Sequence, residues 1–183
     1  MMRRFWTTAI VAVLVVGAFA QRDTLSGPKK AGPSVTLVTT GPVLVSKTKP
    51  TKFSLTFHVA NGYHVNSHTP KTENLIATSL ALDPPQDIAV GRLTYPPGRD
   101  FEFSFAPGEK LNVYEGNFTV AGMITTSKNV ASGTYKMRGN LTYQACDKAQ
   151  CYPPKKAPVD FDFKVQNTAS KTSHRTAQSP HVH

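Results

Sequence analysis

Apolar and polar residues alternate most cleanly along Lys52-Phe53-Ser54-Leu55-Thr56-Phe57-His58-Val59, which puts Phe53, Leu55, Phe57 and Val59 on one face. A period of two is the signature of a half-buried strand with one wet side, the usual condition of antiparallel sheets. Runs 35–38, 75–82, 88–93, 118–124, 134–145 and 159–165 have the same short, β-prone character. Phe101, Phe103 and Phe105 at alternate positions predict an edge strand with one greasy face. Turn signals separate the runs: Asn61-Gly62, Asp83-Pro84-Pro85, Pro96-Pro97-Gly98, Pro107-Gly108, Glu115-Gly116 and Ser132-Gly133. No segment carries a convincing helical period and there is no internal repeat. Seven or more short strands at this spacing predict an all-β protein built as an antiparallel β-sandwich.

Within residues 134–145 the alternation turns Tyr135, Met137, Leu141 and Tyr143 toward the core. Lys136, Arg138, Asn140, Thr142 and Gln144 take the other side, and the same register carries Cys146 away from the core. Gly139, inside this run, marks a bulge or a close approach of another backbone.

The chain ends read differently from its middle. Residues 1–20 combine a basic start at Arg3 and Arg4, an apolar stretch from Ala9 to Val16 and an Ala18-Phe19-Ala20 cleavage pattern, which together predict a secretory signal cut after Ala20. The alternative, a retained anchor, needs about 20 apolar residues to span a bilayer, and this run is shorter. No cysteine follows the apolar stretch to accept a lipid. Residues 21–34, with Gly27-Pro28 and Gly32-Pro33, read as a linker, 35–166 as the folded domain, and 167–183, polar and without apolar period, as a disordered tail. His174, His181 and His183 in that tail are open to weak metal binding or plain solvation. The sequons at Asn117 and Asn140 match the glycosylation acceptor pattern and would be incidental if the source were bacterial.

The formal charge of +10 becomes +8 once Arg3 and Arg4 leave with the signal. Its lysines and arginines are scattered without aromatic interleaving, so nucleic-acid binding is not expected. Weak attraction to anionic partners is compatible with the charge.

The two cysteines, Cys146 and Cys151, lie in LTYQACDKAQCYPP, with a polar turn Asp147-Lys148-Ala149-Gln150 between them and Tyr152-Pro153-Pro154 stiffening the exit. A bend over that turn would bring their Cα atoms within the roughly 4.4–6.8 Å that a disulfide needs. Spacing alone leaves three readings open: a structural staple at a hairpin tip, a reversible redox pair, and part of a metal site. Two cysteines do not complete a tetrahedral zinc site, and closing so short a loop restrains the unfolded chain less than a long one would. Disulfides persist in oxidising compartments, which agrees with export to the periplasm or beyond.

The segment resembles the active-site stretch of the N-terminal periplasmic domain of DsbD, the thiol:disulfide interchange protein. In that family a TYQ-C segment leads into the first cysteine, a short polar loop follows, and an aromatic residue and two prolines come after the second. Thr142, Tyr143, Gln144, Cys146, Cys151, Tyr152, Pro153 and Pro154 match, over a resemblance covering residues 35–165, and the four-residue loop here is slightly shorter than in the best-known members. The resemblance implies an immunoglobulin-like sandwich and a protein thiol-disulfide oxidoreductase or electron-transfer domain without cofactor. It implies that Cys146 and Cys151 form a reversible disulfide, with Cys151 making the mixed disulfide and Cys146 resolving it. Partners would be thioredoxin-like or other disulfide-carrying proteins. The family continues into a membrane-embedded carrier and a thioredoxin-like domain that this sequence does not contain, so a separate membrane thiol carrier is expected. The competing class is a non-catalytic exported binding module with a structural disulfide.

Several residues are candidates to support the pair. Tyr143 is open to plain packing or to shaping the floor under the disulfide, beside Gln144, Tyr152 and Pro153. The stretch Gly62-Tyr63-His64-Val65-Asn66-Ser67-His68 is similar to a family segment that carries aromatics near the cysteines, with His64 and Asn66 where tyrosines occur. A histidine there could raise the thiolate fraction of a nearby cysteine, or be an ordinary hydrogen-bonded residue, as could His68. A metal site using both histidines lacks a ligand set, so no metal is expected. In the family a cap phenylalanine covers the disulfide; Phe103 or Phe105 would be that residue.

Overall fold

The structure, a computed structural model, describes residues 32–38, 41–47 and 49–167, all within one unit spanning Ala31–His183. The expected signal segment, nearly all of the linker and nearly all of the tail lie outside the described residues. Among the described residues twelve strands are formed: β1 Val35–Val38, β2 Val43–Ser46, β3 Thr51–Val59, β4 His64–Asn66, β5 Ser79–Asp83, β6 Ile88–Val90, β7 Arg99–Glu102, β8 Lys110–Tyr114, β9 Asn117–Thr126, β10 Gly133–Tyr143, β11 Ala145–Cys146 and β12 Lys155–Gln166. Among the described residues there is no helix.

The strands make three four-stranded sheets, ordered β1-β3-β9-β6, β2-β12-β10-β5 and β11-β4-β8-β7. The first two are the layers of the sandwich. Alternation does what the sequence predicts in β3, where Phe53, Leu55, Phe57 and Val59 are buried, and in β10, where Met137, Leu141 and Tyr143 are. β12, next to β10 in the second layer, adds Val159, Phe163 and Val165. Phe53 and Phe161 stack across the layers at 6.0 Å. Burying a side chain of this size is worth about 1.5–3 kcal/mol, so this shared cluster is the main source of stability.

The fold is an immunoglobulin-like sandwich with one departure from antiparallel pairing. β2, a strand the alternation does not reveal, runs parallel to the end of β12. Its four residues are too few to show a period, and only Val45 is fully buried. Three other expectations change. Residues 75–78 are not strand, because the amide of Ile76 donates to the Gln144 side chain and that of Thr78 to the Ser67 carbonyl instead of to a neighbouring strand. The strand beginning at Ile88 stops at Val90, although Gly91 and Thr94 still donate to carbonyls of the β9 edge. The aromatic run is strand only to Glu102. Gly139 is a close approach: a Cβ there would collide with the carbonyl oxygen of Ala81 on β5.

The third sheet sits at one end. The chain enters it from β3 through a turn whose Gly62 has φ of 82°, and from β10 through a break at Gln144 that separates β10 from β11. Both long strands of the sandwich therefore deliver short continuations to the same place.

Candidate functional site

Burial in the third sheet does not follow the one-wet-face rule. All three residues of β4, His64, Val65 and Asn66, are buried, as are both residues of β11. Val65 and Ala145 join the main core, whereas Cys146 belongs to a second cluster with Phe103, Leu111 and Val113, against which Leu75, Phe101 and Cys151 also pack. One side of this sheet is thus covered by the sandwich and the other by the segment between β7 and β8. The register expectation holds in direction, since Cys146 does turn away from the main core. Turning away does not expose it: Cys146 is 0% exposed, because a second apolar cluster covers it.

Cys146 and Cys151 are joined in a disulfide, with Cα atoms 3.9 Å apart. The separation is shorter than the common range because the two residues face each other in an antiparallel bridge. The flanking hydrogen bonds, Tyr152 N to Ala145 O at 2.8 Å and Asp147 N to Gln150 O at 2.9 Å, leave the cysteines as a non-hydrogen-bonded pair, the arrangement in which side chains come closest. The amides of Ala149 and Gln150 donate to Asp147 Oδ1 at 2.8 and 3.0 Å, shaping the tight turn. Cys151 stays partly accessible while Cys146 does not.

The cover is aromatic. Phe103, 1% exposed, packs in the Cys146 cluster. Phe105, 39% exposed, stacks on it at 5.1 Å from outside, and Phe101 flanks it at 4.6 Å. The segment folds back through turn hydrogen bonds from Ala106 N to Phe103 O and from Glu109 N to Ala106 O. Ser104 Oγ donates to the carbonyl of Lys148 at 2.5 Å, tying this cover to the cysteine turn. Phe103 and Phe105 thus lie in the connecting loop between β7 and β8.

Of the other residues singled out from sequence, His64 comes to the disulfide side. It pairs with Cys146 across β4 and β11, and its ring packs on Phe101 at 4.2 Å and edge-on to Phe103 at 5.2 Å. Its Nε2 lies 2.8 Å from Glu115 Oε2, a charge contact without hydrogen-bond alignment, and Glu115 also meets the Arg99 guanidinium. Burial, and then the Arg99 charge, hold the imidazole below the ordinary histidine value.

Tyr63, Tyr143 and Tyr152 go to the opposite side, with the main core. Tyr63 meets Tyr152 edge-on at 5.9 Å. The Tyr143 phenol is pushed up by burial, partly offset by a hydrogen bond with the Val35 backbone. Tyr152 donates to Asp147 Oδ2 at 2.7 Å, and that bond raises its pKa. Tyr152 therefore braces the cysteine turn from behind. Gln144 is a clamp: its Oε1 accepts from Asn66 Nδ2 and from the Ile76 amide, both at 3.0 Å. Pro153 is exposed beyond the pair.

Leu111, Val113, Ser104, Arg99 and Glu115 are site residues that the sequence reading did not single out. The alternation of Leu111 and Val113 was a usable signal, but nothing local links Arg99 to Glu115 before the sheet forms. His68 lies elsewhere, stacked on Tyr95 at 3.7 Å. Among the described residues, no group of three or more His, Cys, Asp or Glu is placed to hold a metal ion.

The family profile described as "Thiol:disulfide interchange protein DsbD, N-terminal" matches residues 35–162. The chain belongs to the DsbD N-terminal domain family. Among solved structures it is similar to the Neisseria meningitidis DsbD N-terminal domain in the reduced form, at 23% identity over 62% of this chain and 81% of that one, with a TM-score of 0.38. It is also similar to a chain from the complex between the DsbD N-terminal and PilB N-terminal domains of the same organism, at 20% identity over 75% and 88%, TM-score 0.41. A third similarity, at 12% identity over 75% and 98% with TM-score 0.36, is to AggA, the major subunit of aggregative adherence fimbriae type I from Escherichia coli. No curated protein matches. Within the DsbD N-terminal domain frame, the Cys146–Cys151 bridge under its phenylalanine cover is a site suited to thiol-disulfide chemistry, in which access decides which sulfur a partner reaches.

Proposed function

We propose that this protein is an exported thiol:disulfide interchange protein that passes electrons to or from partner proteins through a reversible Cys146–Cys151 disulfide. The observation that carries the reading is the asymmetry of the pair, a buried Cys146 and a partly accessible Cys151 under a cover separate from the main core. In the reducing direction the Cys151 thiolate attacks a partner disulfide, and a Cys151–partner disulfide forms as one partner thiolate leaves. Cys146 then attacks Cys151 Sγ, releasing the second partner thiolate. The pair is oxidised by two electrons and the partner is reduced by two. Reversal of the same steps oxidises the partner.

Family membership supports a periplasmic setting and thioredoxin-like or other disulfide-carrying partners. The domain limits are 35–166, after a signal cut behind Ala20 and a linker, with 167–183 as a tail. Among the described residues no helix is long and apolar enough to cross a membrane. The test has two parts. The Cys146→Ala variant should accumulate mixed disulfides with partner proteins through Cys151, and the pair should equilibrate with a glutathione or thioredoxin couple. A reduction potential below about −300 mV, the range of structural disulfides, together with no trapped partner, would assign the bridge to a staple.

A further inference from the structure

The resolving step poses a proton problem that the disulfide geometry makes acute. Only the thiolate of Cys146 can attack Cys151 Sγ, yet Cys146 is 0% exposed and lies among Phe103, Leu111 and Val113. An apolar, water-poor setting disfavours the charged thiolate. Some group at the site has to take the proton.

One titratable side chain stands directly across from it. His64 and Cys146 are opposed in the antiparallel β4–β11 pair, which puts their side chains on the same face with Cβ atoms about 4.5–5.5 Å apart. The Phe103 ring joins the two, lying in the Cys146 cluster and edge-on to the imidazole. The Nδ1 of His64 is buried and has no hydrogen-bond partner, an expensive condition unless the atom is used. On its other side the ring faces the Glu115 carboxylate, whose side chain is 41% exposed. A surface cleft of about 340 Å³ is lined by Tyr63, His64, Glu115 and Gly116. The charged neighbours of the imidazole are therefore Glu115, from the turn after β8, and Arg99 of β7, with Cys146 on the β11 side.

We propose, resting on the interchange reading above, that His64 is the general base for Cys146, accepting the thiol proton at Nδ1 and passing it outward on the Glu115 side. In the resolving step the Cys146 S–H proton moves to His64, the thiolate attacks Cys151 Sγ, the new S–S bond forms and the partner thiolate leaves. Glu115 stabilises the imidazolium until its proton reaches solvent through the cleft. When Cys146 is instead the leaving group, the same imidazolium returns the proton. In the disulfide form burial and Arg99 keep the ring neutral, so it is ready to accept. The Arg99 charge is in turn held by Glu115.

The test uses the full reduced chain and 5,5′-dithiobis(2-nitrobenzoate), followed by stopped flow. The first equivalent of thionitrobenzoate reports attack by Cys151, and the second reports attack of Cys146 on the Cys151 mixed disulfide. His64→Gln should lower the ratio of second-phase to first-phase rate at least tenfold at pH 7. The gap should narrow as pH rises past the ordinary thiol range, since hydroxide then removes the proton that the histidine otherwise takes. His64→Phe, which keeps a ring against Phe101 and Phe103, should behave in the same way, and that separates proton transfer from packing. A ratio unchanged in both variants, or lowered equally at every pH, overturns the proposal. So does loss of the near-UV circular dichroism of both variants, which would assign His64 to packing. If the wild type releases no second equivalent, the interchange reading fails first and takes this one with it.

Discussion

The sandwich interior and the cysteine end are built from the same long strands under opposite rules. In β3 and β10 each buried residue is followed by a wetter one, and the buried set makes one cluster with β12. In β4 and β11 no residue is wet, because Val65 and Ala145 feed the main core while Cys146 feeds the phenylalanine-covered cluster and His64 packs on its rings. The first region spends its burial on packing between paired strands. The second spends part of its burial on groups that carry chemistry, a disulfide and an imidazole, and closes over them with a loop instead of a strand. Stability and reactivity are therefore separable, and substitutions should divide accordingly.

The largest effect is expected in the interior. Phe163 is fully buried and stacks on Tyr135 at 5.6 Å. Phe163→Ala should cost about 3–5 kcal/mol, the usual range for a core Phe, read as a drop in the urea midpoint at unchanged slope. The folded fraction should still exchange disulfides at the wild-type rate. A slowed exchange in fully folded protein would mean that the two regions are not independent.

The next effect is on the bridge itself. Cys146→Ala and Cys151→Ala should each abolish completed, two-electron exchange while costing only about 2 kcal/mol, since the loop closed is short and the entropic gain from closing it is correspondingly limited. A loss of several kcal/mol in both single variants would make the bridge a staple belonging to the interior's class.

This division also explains what could be read from sequence. The alternation of Phe53 through Val59 and of Tyr135 through Tyr143 is enforced by one dry and one wet face, so the strands it predicts match those formed to within a residue or two. The cysteine pair and its cover were legible because TYQACDKAQCYPP and the three phenylalanines are local in sequence. Alternation put Tyr143 on the core side correctly, and by the same rule Tyr63 could have been assigned there too, away from the disulfide. Two features were beyond any periodicity. The burial of Cys146 depends on a segment some 40 positions earlier folding over it, and a sheet covered on both sides has no polar phase to read. The Arg99–Glu115–His64 contacts likewise exist only once β7, β8 and β4 share a sheet.

A smaller effect, on rate more than on stability, is expected at the cover. Phe103→Ala together with Phe105→Ala removes the inner ring and the one stacked on it. Reaction of the reduced protein with a small alkylating agent should then speed up about tenfold, equivalent to about 1.4 kcal/mol in barrier. Water and reagent would gain access and thiolate formation would become easier. The rate is to be compared at a temperature where circular dichroism shows both proteins folded. A wild-type rate in the folded variant would reduce these rings to packing.

The smallest effect is a slope, and its sign follows from where His64 sits. The folded state lowers its pKa through burial and then Arg99, so as pH falls through the ordinary histidine value of about 6.5 the unfolded chain takes up a proton that the folded protein declines. Stability rises with pH wherever the unfolded state binds more protons, so the oxidised protein should be fully stable above that value and lose stability below it. The loss continues until the folded imidazole titrates as well. At its steepest one proton gives about 1.4 kcal/mol per pH unit. Asp100, held low first by its hydrogen bond from Lys71, acts in the same direction but at lower pH, its contribution fading only as pH drops through the carboxylate range. Urea midpoints between about pH 6.5 and 5 therefore isolate the histidine, and His64→Gln should flatten the profile there. An unchanged slope in that variant would mean that the folded imidazole titrates no lower than the unfolded one, with Glu115 offsetting burial and Arg99, and the ring would not be held neutral by its surroundings.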